Sequence, residues 1–178
     1  MKVSIFGGAS PKPGEPAYEE ARQLGFLLVK AGHVILTGGY IGTMEAASRG
    51  AAEAGAHVIG ATCADIEAWR GTRANQWVKE EWHFATLRER LYALVDGCDA
   101  AIALPGGVGT LTEICALWNQ LIINLTPVRK PLILVGEGWQ KVINDLFLEQ
   151  GAYIRETDRT HVFFVENIFD AAARINGK

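Results

Sequence analysis

Residues 99–122, DAAIALPGGVGTLTEICALWNQLI, change character twice, and the two changes decide the fold. Asp99–Leu104 reads as a strand, and after Asp99 it is a continuous apolar run, the mark of a strand buried on both faces rather than one half-exposed in an alternating pattern. Pro105, Gly106, Gly107 and Gly109 then let the backbone turn sharply and approach a ligand closely. Beyond them Leu111, Ile114, Cys115, Trp118, Leu121 and Ile122 recur as one apolar helical face, on which Cys115 reads as core. Strand, glycine turn and amphipathic helix make half of a parallel βαβ unit.

The same unit recurs in both directions. Lys2–Gly7 (KVSIFG), His33–Thr37 (HVILT) and His57–Ala61 (HVIGA) read as strands before it, and Pro131–Val135 (PLILV) and His161–Val165 after it. Helices are expected from Pro16 to Gly32, from Thr43 to about Gly55, from near Phe84 to Gly97, over Trp139–Gln150, and from about Ile168. Residues 62–82 interrupt the rhythm: Trp69, Trp77 and Trp82 stand among Arg70, Arg73 and Asn75 with no clean period. Six strands alternating with helices predict an α/β fold, a single domain over residues 1–178 with a doubly wound, Rossmann-like parallel sheet covered by helices on both faces. Such sheets bind ligands outside the carboxyl ends of their strands, at the topological switch point.

Bulk properties narrow the partners. A net charge of −3 without a basic tail argues against nucleic acid, whose binding draws on clustered Lys and Arg. No apolar run approaches the roughly 18 residues of a membrane span, and no secretory leader is read at the amino terminus, so the expectation is a cytoplasmic protein with no membrane partner. Three cysteines, Cys63, Cys98 and Cys115, without CxxC spacing suit neither a disulfide framework nor a zinc site. The four histidines are scattered and acidic residues show no ligand spacing, so neither metal nor cofactor is expected.

Three glycine loops follow strands and should meet in one cleft: Gly7-Gly8-Ala9-Ser10, Gly38-Gly39-Tyr40-Ile41-Gly42-Thr43-Met44-Glu45, and Pro105-Gly106-Gly107-Val108-Gly109-Thr110. A helix opening on the third would aim unpaired N–H groups and its positive dipole end at an anion such as a phosphate, with the Thr110 hydroxyl as a further donor. The spacing is neither GxGxxG nor a Walker loop, which disfavours a dinucleotide enzyme and an NTPase. Thr110-x-x-Glu113 also fits a capping box with Thr110 as N-cap. Glu113, opposite the apolar face of its helix, could cap, face solvent or point into the cleft.

These residues resemble a known family. PGGVGTLTE is similar to the PGGxGTxxE signature of the LOG ("lonely guy") phosphoribohydrolases, long described as possible lysine decarboxylases, and GGYIGTM looks like their GGGxxGLM loop. The resemblance runs from Met1 to about Gly151. It implies cleavage of the N-glycosidic bond of a nucleoside 5′-monophosphate, AMP or N6-substituted AMP, to free base and ribose 5-phosphate. Position by position it implies Arg90 and Glu113 as catalytic residues, although periodicity alone does not choose Arg90 over Arg88. With it, Gly8, Ser10, Gly39, Gly42, Thr43, Met44, Gly106, Gly107, Val108, Gly109 and Thr110 become the expected phosphate and nucleotide contacts, and a homodimer or higher homo-oligomer is expected because relatives are commonly dimers.

Arg90-Leu91 stands where relatives read Arg-Lys, Thr112-Glu113 where many read Glu-Glu, and Glu45 where a glycine usually follows Met. Decarboxylation is disfavoured, since pyridoxal phosphate needs a Schiff-base lysine and no lysine sits in the glycine loops. Residues 69–82 are the candidate stacking surface for the base. The alternative is a non-catalytic carrier: ILTGGYIGTMEAASRGAAEAG also resembles the molybdenum cofactor carrier proteins, which share this fold and bind a phosphorylated pterin.

Overall fold

The computed structural model describes residues 1–123 and 130–177. Strands β1 (Lys2–Phe6), β2 (Val34–Thr37), β3 (Ile59–Cys63), β4 (Glu80–Phe84), β5 (Ala100–Ala103), β6 (Leu132–Val135) and β7 (Val162–Val165) form one sheet. Their order is β4-β3-β2-β1-β5-β6-β7, with every neighbouring pair parallel. Helices α1 (Pro16–Lys30), α2 (Thr43–Glu53), α3 (Ala64–Arg70), α4 (Leu87–Asp96), α5 (Val108–Ile122), α6 (Glu137–Gln150), α7 (Glu156–Arg159) and α8 (Ile168–Ile175) connect them. The chain steps outward from β1 to β4 and returns to lay β5 on the other side of β1, so the switch point lies between β1 and β5.

Strand pleating sends alternate residues to opposite faces. Val3, Ile5, Ile35, Ile102 and Ile133 pack with Leu24 and Leu28 of α1, Ala47 and Ala51 of α2, and Ile168 and Ile175 of α8. Phe6, Leu36, Ala101, Ala103, Leu132 and Leu134 pack with Leu94 of α4, Ile114, Leu117 and Trp118 of α5, and Trp139 and Ile143 of α6. Both faces are therefore covered, the layering that the continuous apolar strands foretell. Among the described residues no helix is long and apolar enough to cross a membrane.

Four local readings are corrected. The interval 62–82, read as aperiodic, holds α3 and most of the edge strand β4. β4 (EEWHF) carries no apolar run because its alternate residues are only half-buried while Glu81 and His83 are exposed, as an edge position permits. β3 runs two residues later than HVIGA, ending in the buried Thr62 and Cys63. Cys115 is exposed rather than core, whereas Cys63 and Cys98 are buried.

The contact between α1 and α2 is made backbone to backbone. A Cβ on Gly50 would overlap the Arg22 carbonyl oxygen, and one on Gly25 the Ala47 carbonyl oxygen. Gly50→Ala is therefore expected to destabilise the chain even though alanine favours a helix by about 1 kcal/mol. Overpacking against a carbonyl that cannot rotate away costs about 3 kcal/mol, leaving a net loss of roughly 2 kcal/mol. A denaturant midpoint that stays level or rises would refute this packing account.

Candidate active site

Gly8 ties the three glycine loops together. Its amide donates to Pro105 O at 3.1 Å, and its carbonyl accepts from the Thr43 amide at 2.9 Å. The three loops thus meet at the switch point, around a cleft of about 520 Å³, within the usual range for a small-molecule site. The first loop contributes Gly7, Gly8, Ala9 and Ser10, the second Tyr40 and Met44, and the third Gly107, Val108, Gly109 and Thr110. Ile66, Trp69 and Arg70 of α3, Leu87 and Arg90 of α4, and Glu113 of α5 complete the wall.

The opening of α5 is set by its glycines. Gly107 is the N-cap, and no side chain caps it. Leu111 is the first residue of the helix whose amide finds an acceptor in the preceding turn, bonding Gly107 O at 3.0 Å. The amides of Val108, Gly109 and Thr110 are left to the cleft, and the first turn carries no acidic side chain. Thr110 is thus the third residue of α5, not its N-cap, so the capping-box reading of Thr110 and Glu113 is corrected. The box is used elsewhere: Thr86 accepts from the Glu89 amide at 3.2 Å while Glu89 accepts from the Thr86 amide at 2.9 Å, starting α4. Gly106 lies just behind the lining, where a Cβ would collide with Thr110 Oγ1 and crowd the Gly8 amide.

Arg90 is buried, unlike its neighbour Arg88, which is exposed. Its Nε donates to Ala61 O at 2.8 Å and its Nη2 to Gly38 O at 3.0 Å, bridging the middle of β3 and the residue that follows β2. The third edge, Nη1, stands 3.8 Å from Glu113 Oε1, too far for a hydrogen bond. Among the described residues this is the one close polar contact of the Glu113 carboxylate, whose side chain is 13% exposed. Burial pushes its pKa up to about 7, with Arg90 pulling the other way. The result is an enclosed, unbonded carboxyl group that titrates near neutrality, one helical turn from three free amides.

The remaining expected contacts divide. Gly39, Gly42 and Thr43 do not line the cleft. Gly39 O accepts from both the amide and the Nδ2 of Asn75, and Gly42, at φ 71°, packs on Gly8 and Ala9. Thr43 is buried with its side chain against Gly7. Of the three tryptophans only Trp69 reaches the cleft. Trp82 donates to Glu80 at 2.7 Å under the Lys2 ammonium, and Trp77 lies beneath the Arg49 guanidinium. Tyr40, Ile66 and Leu87 were not singled out as contacts from the sequence, whereas Arg70 falls within residues 69–82. The α3 residues had no period to betray them, and Tyr40 stood in a loop read for its glycines. Outside the cleft Glu67, Glu81 and His83 bring ligand-type atoms within 4.8 Å of one another, a grouping that spacing could not reveal because α3 and β4 were unread. Those groups already have protein partners, Thr62 donating to Glu81 at 2.5 Å and Arg73 standing 3.8 Å from Glu67.

Comparison with known proteins adds independent findings. The family model described as "Possible lysine decarboxylase" matches residues 44–175. A cytokinin riboside 5′-monophosphate phosphoribohydrolase of Arabidopsis thaliana is 33% identical over 131 residues, 71% of this chain and 59% of that protein. One of rice, Oryza sativa, is 34% identical over 71% of this chain and 53% of its own length, so the chain spans little more than half of these plant relatives. A protein of the same name from Mycobacterium tuberculosis is 29% identical over 95% of this chain and 90% of its own. Among solved structures, a molybdenum cofactor binding protein of Rippkaea orientalis superposes with a TM-score of 0.76 at 24% identity over 99% of this chain and 95% of that one. The molybdenum cofactor carrier protein of Chlamydomonas reinhardtii gives 0.74 at 20% over 99% and 96%. At such identities these two structures speak for the fold alone.

Proposed function

We propose a function from one established premise: the chain belongs to the family described as possible lysine decarboxylases. It hydrolyses the N-glycosidic bond of a nucleoside 5′-monophosphate, AMP or an N6-substituted AMP, giving free base and ribose 5-phosphate. The observation that carries the reading is the Glu113 carboxyl group, enclosed, without a hydrogen bond among the described residues, and set beside the open amino terminus of α5. A phosphate monoester on the amides of Val108, Gly109 and Thr110, with the Thr110 and Ser10 hydroxyls as further donors, directs the ribose toward that carboxyl group.

As the glycosidic bond breaks, its electron pair leaves with the base and positive charge grows on the ribose. Ionised Glu113 stabilises that charge and takes a proton from the attacking water, whose hydroxide adds to the anomeric carbon. The proton is then available to the departing base, so atoms and charge balance without a further reactant. Trp69 offers the base a stacking face at the rim. A carrier of the same fold would use the amides but gain nothing from a buried carboxylate, which repels the phosphate dianion it is meant to hold.

Incubation with a panel of nucleoside 5′-monophosphates should release free base from at least one. Binding without release from any member would favour the carrier. The ionised form of Glu113 is the base, and it forms only as pH rises past about 7. Below that midpoint kcat/KM should fall about tenfold per pH unit. A profile flat from pH 5 to 9 would remove Glu113 from that role.

A further inference from the structure

Arg90 has five N–H groups, and the structure accounts for three of them. Nε goes to Ala61 O, and Nη2 is shared between Gly38 O at 3.0 Å and the Met44 thioether sulfur at 3.7 Å. The guanidinium carbon lies 5.5 Å from the centre of the Tyr40 ring. Only Nη1 is left to face Glu113, and it stops 3.8 Å short. A side chain at position 38 would have to displace its neighbours, because a Cβ there would overlap Arg90 Nη2 and the Met44 sulfur. We infer that Gly38 and Met44 are positioning residues: together they form a seat that holds the Arg90 guanidinium back from Glu113, so that the carboxylate keeps its lone pairs for water. The inference rests on the proposed hydrolase reading for its purpose, though not for its geometry.

The physical reason is competition among acceptors. A guanidinium beside a carboxylate gains most by closing to a short, charge-assisted pair. Such a pair would lower the pKa of Glu113 and occupy the oxygens that must receive a proton. Two neutral acceptors on Nη2 and one on Nε hold three of the five N–H groups, and the vacant space at Gly38 gives the fork room to stay back. Replacing sulfur by a methylene strips one acceptor from a buried N–H, which then gains by turning toward Glu113. A methyl group at position 38 would push Nη2 in the same direction. Other ionisable groups share the cavities around Glu113, namely Asp65 and Arg70 from α3, Arg88 from α4 and Tyr40, but only Arg90 comes within ion-pair distance of it among the described residues.

The chain has two methionines, Met1 and Met44, so global replacement by norleucine changes a single internal side chain and keeps its shape. Proteins bearing methionine, selenomethionine or norleucine, together with Gly38→Ala, would be titrated by carbon NMR of labelled glutamate, with Glu113 assigned by its loss in Glu113→Gln. The norleucine protein and Gly38→Ala are expected to titrate Glu113 about one pH unit lower, a typical effect of a closing cation. Selenomethionine, which keeps a chalcogen acceptor, should match methionine. Base release from the active nucleotide should show kcat down about fivefold with KM within about twofold, the pattern of a defect confined to the chemical step. A Glu113 midpoint that is unchanged or higher in the norleucine protein overturns the seat. If the unmodified protein releases no base from any nucleotide yet the midpoint still falls, the seat stands and the hydrolase reading alone fails.

Discussion

Glu113→Gln is expected to slow base release by about 10²–10⁴-fold, the usual worth of a positioned acid–base group. The amide keeps the size of the side chain but can neither take a proton from water nor oppose the positive charge on the ribose. KM should hold or fall, because a cleft that receives a phosphate dianion loses a like charge. A loss seen in KM with kcat intact would make Glu113 a binding residue only. The same variant carries a stability signature of known sign. The folded chain keeps the Glu113 proton up to a pH of about 7, whereas the ordinary value is 4.5. Between those values the folded state binds more protons than the unfolded one, so stability drains away as pH rises and the full penalty, about 3 kcal/mol, is present above pH 7. Glutamine escapes that penalty, which is already net of the attraction to Arg90. Melting temperatures of the two proteins should coincide near pH 4 and diverge in favour of glutamine above pH 7.

The parts of this molecule that a sequence reveals are those where one physical demand acts alone. Strands β1, β2, β5 and β6 lie inside the sheet, so their sequences are largely apolar, with the buried Ser4 as an interruption in β1, and the glycine loops that follow three of them announce the cleft. β4 was missed because an edge strand answers to water on one side: Glu80, Glu81 and His83 look like loop residues. α3 is seven residues long, too short to establish a period. At Glu113 two demands overlap. Its place opposite the apolar face of α5 argued against the core, yet Leu87, Arg90 and Leu91 of α4 share the cavities beside it and its side chain is only 13% exposed. Arg90 is the sharper case, for its pattern position matches a solvated arginine. What holds it is a pair of carbonyls distant in sequence, one on β3 and one just past β2, and only resemblance to a family could nominate it. Thr110-x-x-Glu113 shows the converse error, a local motif displaced because Gly107 starts the helix three residues earlier.

Arg90→Met should destabilise the chain by about 3–5 kcal/mol, the range for breaking a buried ion pair from one side. Two effects add. Ala61 O and Gly38 O lose their donor, and each unsatisfied buried acceptor costs about 1–3 kcal/mol. A third effect is smaller than it first looks: Glu113 need not remain a bare charge, since loss of the cation raises its pKa further and the group stays protonated at neutral pH. Arg90→Lys should recover little, because a point charge on a flexible stem cannot span the Ala61 and Gly38 carbonyls together. Denaturant unfolding at pH 7 measures the stability loss, and a cost below about 1 kcal/mol would mean that Arg90 behaves as an ordinary surface cation. The kinetic consequence separates removal of Arg90 from its release. Without the guanidinium, Glu113 becomes an active base only at higher pH, so whatever activity remains should move upward in pH. Loosening the seat at Gly38 or Met44 moves it downward. Opposite shifts from neighbouring substitutions are hard to obtain from general damage to the fold, and follow directly if the distance between Nη1 and the carboxylate is the quantity being set.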